Sequence, residues 1–299
     1  MDFTKFVREL RDWPFDSMIR SECFFDELAT FFQQEGIGFT LQEVVLKPHP
    51  EKGLELIAPV RQMSLLVVPV PLAVFSAAQS RQTVFCIPAA SSSLLYLYED
   101  RWRSQPEYWQ ARLRVRLGKG RRIFARKCHL IRPDAVAMRE FLQKNHTYGV
   151  TRSRCRYALT DEQGRWLAAA TFSAPRWMDR GGERVQSWEW IRYASLPDLT
   201  VVGGMSRLLA AFVEEVHPQE VMTYADLEWS PGAAYEKMGF EAVSHRPGVV
   251  YCVCPTDWSR HSLSKIQNDR RYRSDGHQMA SWPRIQNLGS VKYLRRYPF

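Results

Sequence analysis

SWEWIRYASLPDLTVVGGMSRLLAAFVEEVHPQEVMTYAD, residues 187–226, decides the fold. It opens with a strand-like run, SWEWIRYAS, and closes with another, EVMTYAD. Between them Met205, Leu208, Leu209, Phe212, Val213 and Val216 repeat at i, i+3, i+4, i+7, i+8 and i+11, one apolar stripe of a helix that Pro218 ends. Strand, helix and strand in this order predict a β-α-β unit with parallel strands and a right-handed crossover. Ligands of open sheets gather at the C-terminal ends of parallel strands, here Tyr193–Ser195 and Tyr224–Asp226. Val202-Gly203-Gly204-Met205-Ser206 starts the helix; its glycines allow a tight turn, and the first helical N–H groups are unpaired and partly positive. Such a start can cradle a phosphate, and it equally serves close packing.

Working outward, SPGAAYEKMGF (230–240) predicts a short helix with Ser230 as N-cap, Pro231 at its first position and Gly239 just past its end. Upstream, RIFARKCHLIR (122–132) reads as one strand with Ile123, Ala125, Lys127, His129 and Ile131 on one side. Pro133 opens a helix with Val136, Phe141 and Leu142 inward, and 155–160 with 165–172 form a hairpin. RWMDRGGERV (176–185) reads as a loop, and VVYCVC (249–254) as the last strand. Residues 1 to about 100 form a separate unit: an apolar helical stretch over 24–32, then strand-like runs at 65–70, 83–87 and 94–98, with a helix at 105–117. The fold class is therefore mixed α/β.

With 299 residues, 45% hydrophobic and 13% aromatic, the chain can bury a core and is not a disordered one. The N-terminus, MDFTKFVRELRDWPF, lacks the apolar region of a signal peptide, and the longest apolar run, Met63–Ala78, holds Pro69 and Pro71. That run is shorter than the ~20 residues a spanning helix needs and predicts buried strands. A cytoplasmic protein with no membrane segment is expected. Six scattered cysteines include one C-x-C, Cys252 and Cys254, with no second pair to answer it; reduced structural thiols are expected and no metal.

The net charge of +9 is uneven. Arg101–Lys127 holds ten Lys/Arg and one acid, Ser259–Phe299 nine Lys/Arg and two Asp. Basic blocks interleaved with Trp102, Tyr108 and Trp109, and with Tyr272, Tyr293 and Tyr297, fit a polyanion such as nucleic acid, or a solvated face and tail. Of the candidate groups, Tyr235 could handle a proton or be a core phenol; Asp226 ends its strand at the ligand edge or caps a loop. Glu189 and Arg192, three apart in one strand, should point to opposite faces, and a charge beside Trp188 and Trp190 needs a partner or a purpose. His146 is a loop histidine within reach of a base role.

The order of elements over 122–254 resembles the GNAT acyltransferase superfamily. FLQKNHTYG, TFSAPR, WEWIRYAS, VVGGMSRLL and TYADLEWSPGAAYEKMGF further resemble a branch holding the phage Mu DNA-modification protein and the C-terminal domain of phage Vsr-like or homing endonucleases. The resemblance implies a GNAT-like mixed sheet over 121–258, an N-terminal α/β unit over 1–120 and a basic tail over 259–299. It implies acetyl-CoA or another acyl-CoA as cofactor, with phosphates on Val202, Gly203, Gly204, Met205 and Ser206. It implies catalytic roles for Arg192, Ser206, Asp226 and Tyr235. This loop reads Val201-x-x-Gly204-x-Ser206, where typical members open on Arg or Gln and end on Gly or Ala. YLYEDRW followed by RIFARKC resembles the end of those proteins' nuclease domain, but Glu43 and Glu55 stand without a suitably spaced lysine, so a degenerate nuclease unit is expected. The implied function is group transfer on or near nucleic acid, in a phage or mobile element. A non-catalytic nucleic-acid-binding module and a generic N-acetyltransferase are the alternatives.

Overall fold

The computed structural model describes residues 15–49, 53–56, 64–72, 80–88, 93–230, 232–268, 279 and 282–297. Pro231, Tyr272, residues 1–14 and most of 57–79 outside strand 64–70 lie outside the described residues, and so do the expectations placed on them. The chain divides into two compact units, one holding 1–106, 227–230 and 247–289, the other 107–226, 231–246 and 290–299.

The first unit begins with α1 (Phe15–Gln34) and the strands β1 (Thr40–His49), β2 (Gly53–Leu56), β3 (Ser64–Val70), β4 (Ser80–Pro88) and β5 (Ser93–Tyr98), closed by α2 (Glu99–Ser104). Their order is β2-β1-β4-β3-β5, with only β3 and β5 parallel. Phe24, Leu28, Phe31 and Phe32 form the buried stripe of α1, and Phe32 meets Phe85 of β4 at 5.1 Å. Within the apolar run 63–78 the described residues include β3, buried from Leu65 to Val70.

The second unit contains α3 (Pro106–Arg116), β6 (Arg121–Phe124), β7 (His129–Ile131), α4 (Ala135–Asn145), β8 (Cys155–Thr160), β9 (Trp166–Phe172), β10 (Arg176–Arg180), β11 (Glu183–Ser195), β12 (Leu199–Val202), α5 (Gly204–Val216), β13 (Glu220–Asp226), α6 (Ala233–Glu236) and β14 (Glu241–Arg246). Several expectations need correction. The strand read over 122–132 is broken by a 3₁₀ turn, Ala125–Lys127, so β6 pairs with β12 and β7 with β8. Helix α4 starts later than Pro133, because the Asp134 carboxylate accepts from the N–H groups of Val136 and Ala137, both at 2.8 Å. That shift turns Val136 outward, 64% exposed, and Met138 joins Phe141 and Leu142 in the core. The loop read over 176–185 is a hairpin, with β10 along the first residues of β11. Helix α6 is capped by Gly232 at φ 103°, not by Ser230, because a side chain there would run into the Tyr293 ring.

The chain then returns to the first unit through β15 (Val250–Val253), β16 (Arg260–Ser262), α7 (Leu263–Asn268) and β17 (Arg284–Gln286), a small sheet ordered β16-β15-β17. VVYCVC is thus not the last strand of the large sheet. Arg260, 6% exposed, binds Asp100 through Nη2 at 3.0 Å and through Nε, and Glu228 through Nη1 at 2.9 Å, with Tyr98 over its guanidinium at 4.7 Å. It ties three separated stretches of chain within this unit. The five cysteines whose side chains are described are free thiols, and no His/Cys/Asp/Glu group among the described residues suits a metal.

Within the stretch read as a basic tail, β18 (Ser290–Arg296) goes to the second unit and inserts between β13 and β14. The large sheet runs β14-β18-β13-β11-β9-β8-β7, with β11 and β13 parallel as the β-α-β reading requires. Helix α4 covers one face, through Met138, Phe141 and Leu142 on Ala158, Ala169 and Ala194. Helix α5 covers the other, its Phe212 stacked on Phe172 at 3.9 Å and edge-on to Trp188. Replacing Arg260 with Met leaves two buried carboxylates without their counter-charge. Unfolding by denaturant should show a loss of about 3–5 kcal/mol; an unchanged midpoint and slope would remove Arg260 from the unit's supports.

Candidate functional site

The second unit's sheet parts where the ligand edge was expected. β11 pairs with β13 only over Ser187–Glu189 and Glu220–Met222. Past that point β11 continues along β9 from Trp190 to Ser195, while β13 continues along β18 to Asp226. A register shift between Trp190 and Arg192 makes Ile191 an extra residue, a β-bulge. Across the gap the Thr223 hydroxyl donates to the Trp190 carbonyl at 3.0 Å.

The bulge also reassigns faces. Trp190 lies opposite Phe172 and faces α5, but Arg192 lies opposite Thr171, on the α4 side. Glu189 and Arg192 therefore share a face, contrary to the alternation expected for residues three apart, because one residue is added between them. Burial holds the Arg192 guanidinium below its ordinary pKa, with the Glu189 charge opposing that shift.

On the α5 side, β12 leads into Gly203, which takes φ 77° as N-cap of α5. Gly204 has a different need: a Cβ there would come within 3.1 Å of Val201 and the Tyr193 hydroxyl. Gly203 and Ser206 are exposed and Met205 half-buried, so the open part of the loop is Gly203 and Ser206 rather than Gly204. Arg207 secures the loop by donating from Nη1 to the Cys128 carbonyl at 2.7 Å and to that of Ala125. Tyr235, half-buried, is edge-on to Trp190 at 5.8 Å and near Tyr293 at 5.6 Å. Burial raises its pKa, and a hydrogen bond with Thr223 pulls the other way. The Tyr193 phenol is pushed up to about 12 by burial, against the nearby charge of Arg112. A cavity of about 670 Å³ runs beside α5 and α6, lined among others by Ser206, Val213, Lys237, Met238, Arg295 and Tyr297. The Tyr297 hydroxyl is buried, with no hydrogen-bond partner among the described residues.

On the α4 side, Asp226 Oδ2 accepts from the Tyr148 hydroxyl at 2.7 Å. The Arg192 guanidinium lies 6.0 Å from the Tyr148 ring and donates to the carbonyls of Gly149 and Ile191. Thr223 and Asp226, three apart on an unbulged strand, face opposite sides. Of the residues singled out in the sequence, Gly203, Gly204, Ser206 and Tyr235 therefore gather on the α5 side, and Arg192 and Asp226 on the α4 side. Val202 is half-buried in β12. His146 accepts from the Tyr148 N–H through Nδ1 and belongs to the same loop. Tyr148, Tyr193, Thr223, Arg295 and Tyr297 were not singled out as site residues; the only sequence signal was the place of Tyr148 and Tyr193 after a predicted helix and at a predicted ligand edge.

No protein-family model and no curated protein sequence matches the chain. Several similar solved structures carry acetyltransferase names. The similar structures also include Eis1 from Mycobacterium abscessus, 14% identical with a TM-score of 0.33 over 42% of this chain and 33% of that one. The ribosomal-protein-S18-alanine N-acetyltransferase from Escherichia coli is 12% identical with a TM-score of 0.36, over 57% of this chain and 95% of that one. A GNAT family acetyltransferase from Brucella melitensis, in complex with acetyl-CoA, is 15% identical with a TM-score of 0.29, over 40% of this chain and 89% of that one. The alignment thus spans a third of the length of Eis1.

The raised Tyr193 pKa carries a sign. The folded chain holds this proton above pH 10, where the unfolded chain releases it, so the contribution is complete below about 10 and is lost as pH rises toward about 12. Tyr193→Phe should flatten part of that alkaline fall in stability, followed by unfolding at a series of pH values. An identical slope in wild type and variant would contradict the burial assigned to the phenol.

Proposed function

We propose that the second unit is an N-acyltransferase that draws on an acyl-CoA and acts on an amine in or near nucleic acid. One observation carries the reading: β11 and β13 part at a bulge, with a Gly-Gly helix start and a neutral phenol on one face and a hydrogen-bonded carboxylate, Asp226, on the other. A thioester donor could lie in that parting and meet an amine arriving from the α4 side.

The residues present fit such a donor. Gly203 holds a left-handed turn with an exposed backbone, and the N–H groups of the first helical turn suit a pyrophosphate. Lys237, Arg295 and Tyr297 line the adjoining cavity. The donor would supply a carbonyl already activated toward amines. Tyr235 keeps its proton through neutral pH, which suits donation to a developing anion and not abstraction. Asp226 offers a carboxylate to the incoming amine, and the Tyr148 hydrogen bond orients it. Arg192 spends donors on loop carbonyls and so shapes the acceptor side by holding 149 in place.

Charge supports the nucleic-acid part. The second unit's residues include 25 Lys/Arg and 15 Asp/Glu, a net of +10, while the first unit's include 16 and 17. The surplus positive charge of the chain therefore belongs to the unit that carries the candidate site. This charge also favours a second reading, a nucleic-acid-binding module without catalysis.

Nucleosides from cells expressing the chain, analysed by mass, should contain a modified base that is lost with Asp226→Ala. Acetyl-CoA at a hundred times its dissociation constant should stabilise the chain by about 2.7 kcal/mol. Oligonucleotide binding should weaken steeply with salt. Salt-sensitive binding with no modified base and no stabilisation would leave the binding module; stabilisation without nucleic-acid binding would leave a generic N-acetyltransferase.

A further inference from the structure

The β10–β11 hairpin, read as a loop in the sequence, is a stiff ribbon with an aromatic presented to solvent. Register pairs Arg176 with Ser187, Trp177 with Gln186 and Asp179 with Arg184. At the tip Gly181 and Gly182 take φ 70° and 94°, and the Gly182 N–H donates to Asp179 Oδ1 at 3.0 Å. Beside the turn Arg180 grips Glu220 with a two-pronged contact, Nε at 3.0 Å and Nη2 at 2.8 Å, and Glu220 is fully buried. Among the described residues, β10 pairs only with β11, so its outer edge is open.

Trp177 stands on this ribbon 59% exposed, with the Arg184 guanidinium 5.2 Å from its ring. A lone exposed apolar side chain is ordinary. Here, however, the largest side chain type is held by a cation on a ribbon that is itself pinned to a buried acid. The arrangement orders an indole face without burying it, which suits a flat partner that stacks. We infer that this ribbon face is a nucleic-acid contact, on which an unpaired base stacks against Trp177 while Arg184, on the same face, meets the phosphate backbone. The occupant follows from charge: the ribbon carries Arg176, Arg180 and Arg184 against Asp179 and Glu183, and it belongs to the unit with a net of +10. An indole takes any base by its π-face, so the contact is one of strand type, not of sequence. The inference rests on the nucleic-acid part of the proposed function.

The test is fluorescence anisotropy of the full chain with a labelled single-stranded oligonucleotide and the matching duplex, at several salt concentrations. Trp177→Ala should weaken single-strand binding by at least about fivefold with the salt slope unchanged, and Trp177→Phe should restore most of it. Arg184→Ala should weaken binding and lower the slope by about one. If wild type binds and Trp177→Ala binds as tightly, the ribbon contact is overturned while the nucleic-acid reading stands. Equal loss on duplex and single strand overturns the stacking. If wild type binds neither form, the nucleic-acid part of the proposed function falls as well.

Discussion

The single residue inserted at Ile191 sets the geometry of the second unit's site. A strand in a sheet's interior normally pairs on both sides, but β11 pairs with β13 only as far as Glu189 and with β9 only from Trp190 on. Beyond it the bulge bends β11 along β9, β13 follows β18, and backbone that would have been a continuous ladder opens. The Thr223 hydroxyl on the Trp190 carbonyl bridges the opening with one side chain in place of backbone bonds. The same insertion brings Arg192 onto the face of Glu189 and leaves Trp190 with Phe172, Tyr193 and Tyr235.

That core is what keeps the opening fixed. Phe172 is fully buried and stacks on Phe212 of α5 and on Trp190, so β9, β11 and the helix over them share one aromatic cluster on the β11 side of the parting. Each ring contact contributes about 0.5–1.5 kcal/mol beyond burial. The polar groups are arranged around this apolar wall. Two phenols with raised pKa values lie on the α5 side and a hydrogen-bonded carboxylate on the α4 side, so these polar groups lie on opposite faces of the sheet.

The β-α-β unit was legible because both its signals are local: the apolar stripe of α5 repeats with helical period, and Pro218 and Gly203 mark its ends. The same holds for Gly239, which takes φ 78° after α6. What escaped the sequence depended on distant partners. Alternation cannot announce a bulge, so Glu189 and Arg192 were expected on opposite faces. The break in 122–132 comes with β6 pairing to β12, some eighty residues on, and β18 is placed by strands on either side of it. Tyr148 meets Asp226 across 78 residues, and no spacing predicts that contact. Asp134 was legible in principle, as an N-cap residue beside Pro133, and the proline was given the greater weight.

Hydrogen exchange of the full chain with and without acetyl-CoA tests the placement of the donor most directly. Protection is expected at the amides of 203–207 and 235–239, on either side of the parted strands, with the β10 ribbon unchanged. Protection confined to other segments, or none at saturating acetyl-CoA, would contradict the donor site placed at the parting of β11 and β13.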